Sequence, residues 1–355
     1  MWDHLAIFKG LPTFEVNHAL EQFRSLEVDI GTELIAEGED DPTLLIVLTG
    51  ELEITTGDVV LGRARAGDLV GEIALFAGGL RTASVRTAAR STLLLLDVEG
   101  FESLRAERHP VAIALEEHAL AQLSDRLRKT RERIASMAKG EASRKPSTGF
   151  FRRVGAAFGT GGRITSARVN GGEVLEYSAL FAGVPRALLD EVASHMEACT
   201  YPVGTTLCTE GEAGTEMFLI ASGEVEVICQ TQLGNVEKLA TLGPGDAFGM
   251  CSLLQPEQLR MASAVATTKV VALTLDAIAG AELIHGHGWV GSVLRAAMIR
   301  ALAESVAYAN AQITLLDLQR ESERASGLRR AGAGTEAVGR FMGDQRRPAY
   351  YDEEP

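Results

Sequence analysis

GTELIAEGE at residues 31–39 recurs as GTTLCTEGE at 204–212, 173 positions further along. The spacing holds on both flanks. Phe8-Lys9-Gly10-Leu11-Pro12 matches Phe181-Ala182-Gly183-Val184-Pro185, and Leu48-Thr49-Gly50-Glu51-Leu52-Glu53-Ile54 matches Ala221-Ser222-Gly223-Glu224-Val225-Glu226-Val227. A repeat of this extent, with its glycines kept, marks two copies of one fold. Within each copy the signals are β. LLIVLTGELEI (44–54) is an apolar run, a glycine turn and then alternating apolar and acidic residues. Further short strands are predicted at 59–64, 83–88 and 92–97, and many short strands joined by glycine turns predict a sandwich or barrel.

The chain has 355 residues, enough for two ordinary domains and their linkers. With 46% hydrophobic residues it can build sizeable cores, while a formal net charge of −14 opposes broad electrostatic capture of nucleic acid. The four cysteines, Cys199, Cys208, Cys229 and Cys251, have no C-x-x-C spacing and read as free thiols of a reducing compartment rather than metal ligands. Of the histidines, His285 and His287 alone have a ligand-like spacing, and no metal site is expected. No basic segment leads into an apolar one at the N-terminus, and the apolar runs 44–48 and 93–96 are too short to span a bilayer. A cytoplasmic location without membrane contact is therefore expected.

The chemistry concentrates at GEIALFAGGLRTASV, residues 71–85. Gly71 allows close backbone approach, and 72–75 read as one helical turn whose free amides suit an anion. Arg81 adds a planar cationic fork for a phosphate, and Glu72, acceptor-only when ionised, suits a hydroxyl. These residues resemble the phosphate-binding cassette of the cyclic nucleotide-binding domain, in Gly71-Glu72-Ile73-Ala74-Leu75 and again in Arg81-Thr82-Ala83-Ser84-Val85. Val70 and Leu80 stand where that family usually has Phe and Pro. The resemblance implies that Glu72 takes the ribose 2′-hydroxyl and Arg81 the cyclic phosphate. Gly71, Ile73, Ala74, Thr82 and Ala83 would complete the cradle. It also implies the fold, mainly β with flanking helices. Two eight-stranded β-rolls of the jelly-roll kind are expected, each followed by a long helix, similar to cyclic AMP receptor proteins and protein kinase A regulatory subunits.

The second cassette reads Phe248-Gly249-Met250-Cys251-Ser252-Leu253 and then Arg260-Met261-Ala262-Ser263. Arg260 stands for Arg81, but Met250 replaces Glu72, and a thioether is a weak acceptor. Gly249, Cys251, Ser252, Arg260, Met261 and Ala262 are thus a second site expected to be weak or empty.

These readings divide the chain into a first domain with its helix (1–138), a flexible basic linker (139–172), a second domain with its helix (173–326) and a mobile tail (327–355). In the first helix, Ile113, Leu120, Leu127 and Ile134 recur every seven residues, with Leu123 and Met137 on the adjacent seam. In the second, Ile299, Val306 and Ile313 alternate with Leu302, Ala309 and Leu316. Such seams predict either packing onto the chain's own rolls or a homodimer through the long helices. The linker segment GFFRRVGAAFG (149–159) reads as packing between the rolls or as a docking segment. The functional expectation is a non-enzymatic sensor, with no cofactor but with cyclic AMP or cyclic GMP as ligand and an unidentified effector protein as output. A ligand-independent scaffold, or a sensor of another messenger such as cyclic di-GMP, is the alternative.

Overall fold

Short strands joined by turns and closed by helices shape both halves of the chain. In the computed structural model, which describes residues 5–137, 164–165, 169–230, 236–254 and 259–326, the first half opens with helix α1 (Thr13–Leu20). It continues through β1 (Arg24–Val28), β2 (Glu33–Ile35), β3 (Leu44–Thr49), β4 (Glu51–Thr56), β5 (Val59–Arg65) and β6 (Leu69–Val70). The short helix α2 (Glu72–Ala77) interrupts the strands before β7 (Ser84–Thr87) and β8 (Ser91–Leu96), and α3 (Val98–Ala106) and α4 (Pro110–Met137) follow. Two antiparallel sheets result, in the orders β1-β8-β3-β6 and β2-β7-β4-β5.

The second half repeats this plan. It contains β9 (Ile164–Thr165), α5 (Gly171–Tyr177), α6 (Arg186–Ser194), β10 (Glu197–Tyr201), β11 (Thr206–Cys208), β12 (Glu216–Ser222) and β13 (Val225–Gln230). Then come β14 (Val236–Leu242), β15 (Ala247–Phe248), α7 (Cys251–Leu254), β16 (Ser263–Ala266), β17 (Val270–Asp276), α8 (Ala277–His285) and α9 (Trp289–Ser326). Its sheets are β15-β12-β17-β10-β9 and β11-β16-β13-β14. Each half therefore carries the eight expected roll strands, and β9 is an added edge strand that pairs Thr165 with Cys199 of β10. Gly171 already opens α5, within the stretch expected as linker. Segments 149–159 and 327–355 lie outside the described residues.

The apolar runs have a clear cause. In β3, Leu45 and Val47 face the interior of the first roll, while Leu44 and Ile46 face the opposite way into a separate core. In β8, Leu93 faces inward, and Leu94 and Leu96 join that outer core. A strand covered on both faces has no polar alternation to show. The outer core is the largest of the molecule, and α4 and α9 run through it.

The two heptad patterns turn out to be two halves of one seam. Leu120, Leu123 and Leu127 of α4 share a core with Ile299, Leu302 and Val306 of α9. Of the two expectations for these apolar faces, packing within the chain or pairing with a twin chain, the first is seen, with each long helix packed on the other long helix of the same chain. Periodicity identifies an apolar face and leaves open what covers it. Within the seam, Arg295 Nε donates to Glu116 Oε2 at 2.5 Å, with side chains only 2% and 4% exposed. Arg295 also donates to the carbonyls of Ile284 and Gly286. A second cross-domain contact lies at the α3–α4 junction. There Arg108, the one non-glycine residue with positive φ (51°) among those described, stacks 5.0 Å from the Trp289 ring centre.

Candidate functional site

The first cassette is organised around Gly71. It joins β6 to α2 with φ of +85°, a conformation that favours glycine. Its missing side chain matters as much: a Cβ there would lie 2.5 Å from Arg81 Nη1 and 2.5 Å from the Thr43 carbonyl oxygen. Into that space the guanidinium of Arg81 is folded. Its Nη1 donates to the Gly71 carbonyl at 3.1 Å and its Nη2 to Thr43 Oγ1 at 2.7 Å, with Asp41 Oδ2 at 3.8 Å. The backbone is clamped as well, since the Arg81 N–H donates to Glu39 O and Arg81 O accepts from Gly38 N–H, both at 2.9 Å. Burial pulls the guanidinium down from its usual range, against the opposing pull of Asp41, Glu72 and Glu39. Its Nε is buried without a hydrogen-bond partner.

Glu72, the first residue of α2, is 2% exposed. Arg126 of α4 donates from Nη1 to Glu72 Oε1 at 2.8 Å. That bond reaches from the cassette to the helix beyond it. A second tie lies nearby, where the Gln122 side-chain amide both donates to Leu69 O (2.6 Å) and accepts from Leu69 N–H (2.8 Å) on β6. Ala74 is buried, Ile73 and Ala83 are half-buried, and Thr82 is exposed. The cassette thus combines a buried carboxylate that accepts, a buried guanidinium with a spare N–H, and the N-terminal amides of a helical turn. Sequence reasoning singled out Glu72 and Arg81 and passed over their contacts Thr43, Asp41 and Arg126, which lie far along the chain and carry no local motif.

Gly71→Ala is expected to lower the thermal unfolding midpoint, because it adds a strained φ, at about 1–3 kcal/mol, to a clash with a backbone oxygen. An unchanged midpoint would contradict this account of the turn.

The second cassette keeps the scaffold. Gly249 has φ of +79°, and Arg260 Nη1 donates to its carbonyl at 3.1 Å while Nη2 donates to Glu216 O. The guanidinium is half-buried, 6.0 Å from the Phe218 ring centre. Met250 is 9% exposed in the place of Glu72, and Cys251, Met261 and Ala262 are half-buried. Ser252 lies in α7, and its side chain is outside the described residues. Arg260 follows Arg81 by 179 residues, and at the same spacing Arg126 corresponds to Ser305, whose hydroxyl donates to Ala301 O at 2.9 Å. Both members of the Glu72–Arg126 pair are therefore gone from the second copy. Burial raises the Cys251 thiol above its usual range. Elsewhere, His285 Nδ1 is 2.8 Å from Glu117 Oε1, and among the described residues no group of three His, Cys, Asp or Glu gathers around a metal-sized space. No described helix is long and apolar enough to cross a membrane.

With both cassettes in place, the class is clear. The chain carries two cyclic nucleotide-binding domains, since the profile of that domain matches residues 26–108 and 198–287. The cyclic AMP receptor protein of Thermus thermophilus is 35% identical over 148 residues, 41% of this chain and 66% of that one. The cGMP-dependent protein kinase egl-4 of Caenorhabditis elegans is 26% identical over 257 residues, 72% of this chain but 26% of the kinase. The chain thus spans between a quarter and two thirds of these relatives. Among solved structures, the regulatory domain of Toxoplasma gondii PKA with cAMP aligns over 81% of this chain and 88% of that one, at 18% identity and a TM-score of 0.31.

Proposed function

We propose that the first roll is a receptor for cyclic AMP or cyclic GMP, and that the chain is a non-enzymatic sensor acting through contacts with an effector protein. One observation carries the reading: Glu72 and Arg81 are both buried at the cassette, and the Arg81 Nε has no protein partner. A buried N–H without a partner is costly unless something else accepts it. A cyclic phosphate supplies that acceptor, and Glu72 accepts the ribose hydroxyl. Arg126 holds one carboxylate oxygen of Glu72 by its 2.8 Å hydrogen bond and fixes the side chain at the cassette. The names of the Thermus and nematode relatives bring both nucleotides into the test. Nucleic acid and membrane stay outside the proposal, because a net charge of −14 opposes attraction to phosphate-rich surfaces.

Isothermal titration of the full chain with each nucleotide tests the reading, with one binding event expected. The absence of heat and of any thermal shift with either nucleotide would sink it. That result would favour the scaffold alternative, which has one observation behind it: Glu72 and most of the Arg81 guanidinium already have protein partners.

We also propose that the second roll fails as a receptor because it lacks a whole pair. Met250→Glu combined with Ser305→Arg is expected to raise the titration stoichiometry from one site to two. Met250→Glu alone would bury a carboxylate without the arginine that serves Glu72. A double variant that still binds once would mean that something other than this pair closes the second site.

A further inference from the structure

Arg295 follows Glu116 by 179 residues, the same spacing that separates Arg260 from Arg81. The two residues of the buried pair are therefore equivalent positions of the repeat, and they face each other. Other members of the seam obey the same spacing: Val111 and Val290, Leu115 and Leu294, Leu120 and Ile299, Leu127 and Val306 are all buried. Such facing is what a two-fold axis produces between identical subunits, here made inside one chain from unlike halves.

The contacts also cross over. Helix α9 of the second half packs on α2, the helix that begins with Glu72. Helix α4 of the first half packs on α7 of the second cassette. There the Ser124 hydroxyl lies beside the Cys251 thiol, and Arg131, seven residues further along α4, is within electrostatic reach of the same thiol. Each helix thus covers the cassette of the other half.

We infer that the second domain is the first domain's built-in partner: α9 occupies the place that a second copy's helix would take and completes the first nucleotide site, while Glu116 and Arg295 make α4 and α9 choose each other over their own copies. The charge pattern carries the choice. Pairing α4 with a second α4 in this facing would bury Glu116 against Glu116. Pairing α9 with a second α9 would bury Arg295 against Arg295. Like charges facing in a dry seam exclude both homotypic arrangements, whereas the mixed pair is satisfied.

The part of this inference that concerns the first site rests on its being a nucleotide receptor. Three variants of the full chain, Glu116→Arg, Arg295→Glu and the two combined, test the whole. Light scattering should give the mass of one chain for the wild type, with or without cyclic AMP. Each single variant should lower the thermal midpoint and weaken first-site binding of cyclic AMP or cyclic GMP by about five- to 150-fold, the usual span of coupling between distant sites. The double variant should recover part of both, short of the wild type because the carbonyls of Ile284 and Gly286 stay without their donor, and it keeps the test open if a single variant fails to fold. A wild-type mass of two chains, or a double variant no better than the singles, would overturn the inference. So would single variants that bind the nucleotide as the wild type does. Should the wild type bind neither nucleotide, the receptor reading falls and takes the site-completing role of α9 with it. The mutual choice of α4 and α9 is then judged on mass and rescue of the midpoint alone.

Discussion

Arg295→Ala is expected to cost about 3–5 kcal/mol of folding stability, the usual penalty for removing one partner of a buried ion pair. Three acceptors lose their donor at once, namely the Glu116 carboxylate and the carbonyls of Ile284 and Gly286. The carboxylate dominates. Burial already lifts the Glu116 carboxyl above its ordinary range, and Arg295 is the main group pulling it back. Without the arginine the folded-state pKa rises further above the unfolded value. A carboxyl raised in this way is penalised where it must ionise, so the penalty is absent below the unfolded pKa of about 4.3 and grows as pH rises through the folded value. The gap in thermal midpoint between variant and wild type should therefore narrow on going from pH 8 toward pH 5. A gap that stays constant with pH would mean that lost packing, and not the stranded carboxyl, sets the cost.

The second large effect is on ligand. Arg81→Ala should weaken cyclic nucleotide binding by roughly 1.5–3 kcal/mol, the range for a charge-assisted hydrogen bond, or about ten- to 150-fold in Kd. Arg81→Lys should recover little of this, because an ammonium cannot reproduce the planar fork that spans the Gly71 carbonyl and Thr43 Oγ1 while leaving an N–H spare. Titration calorimetry on the three proteins measures both losses. Binding unchanged in Arg81→Ala would remove Arg81 from the site, and full recovery in Arg81→Lys would reduce its role to charge.

The fold was legible where local chemistry dictates it. Glycine turns flanked by apolar runs gave the strands, and the repeated GTELIAEGE pattern gave the two copies. Long-range partners were not legible. The heptads at Leu120, Leu127 and Ile134 and at Ile299, Val306 and Ile313 were visible, but nothing in a periodicity says that one covers the other. The clue lay in the spacing. It is 173 residues at the first glycines and 179 from the cassette arginines onward, and only the second value aligns Glu116 with Arg295. In the cassette, Glu72 and Arg81 stand in a recognisable order because they hold a local turn. Thr43 and Arg126 reach the same turn from 28 residues before and 55 residues after Gly71, so only folding brings them in.

Fusing the two copies lifts a restriction that identical subunits cannot escape. Where two copies of one chain meet about an axis, every substitution is made twice, and a change tolerable on one side must be tolerable on the other. Residues 72 and 250 occupy corresponding places but are encoded separately. One half could give up its carboxylate and arginine while the other retained both, and Glu116 could face an arginine instead of its own image. A pair built this way is free to carry unlike residues at corresponding places, as Glu72 and Met250 do.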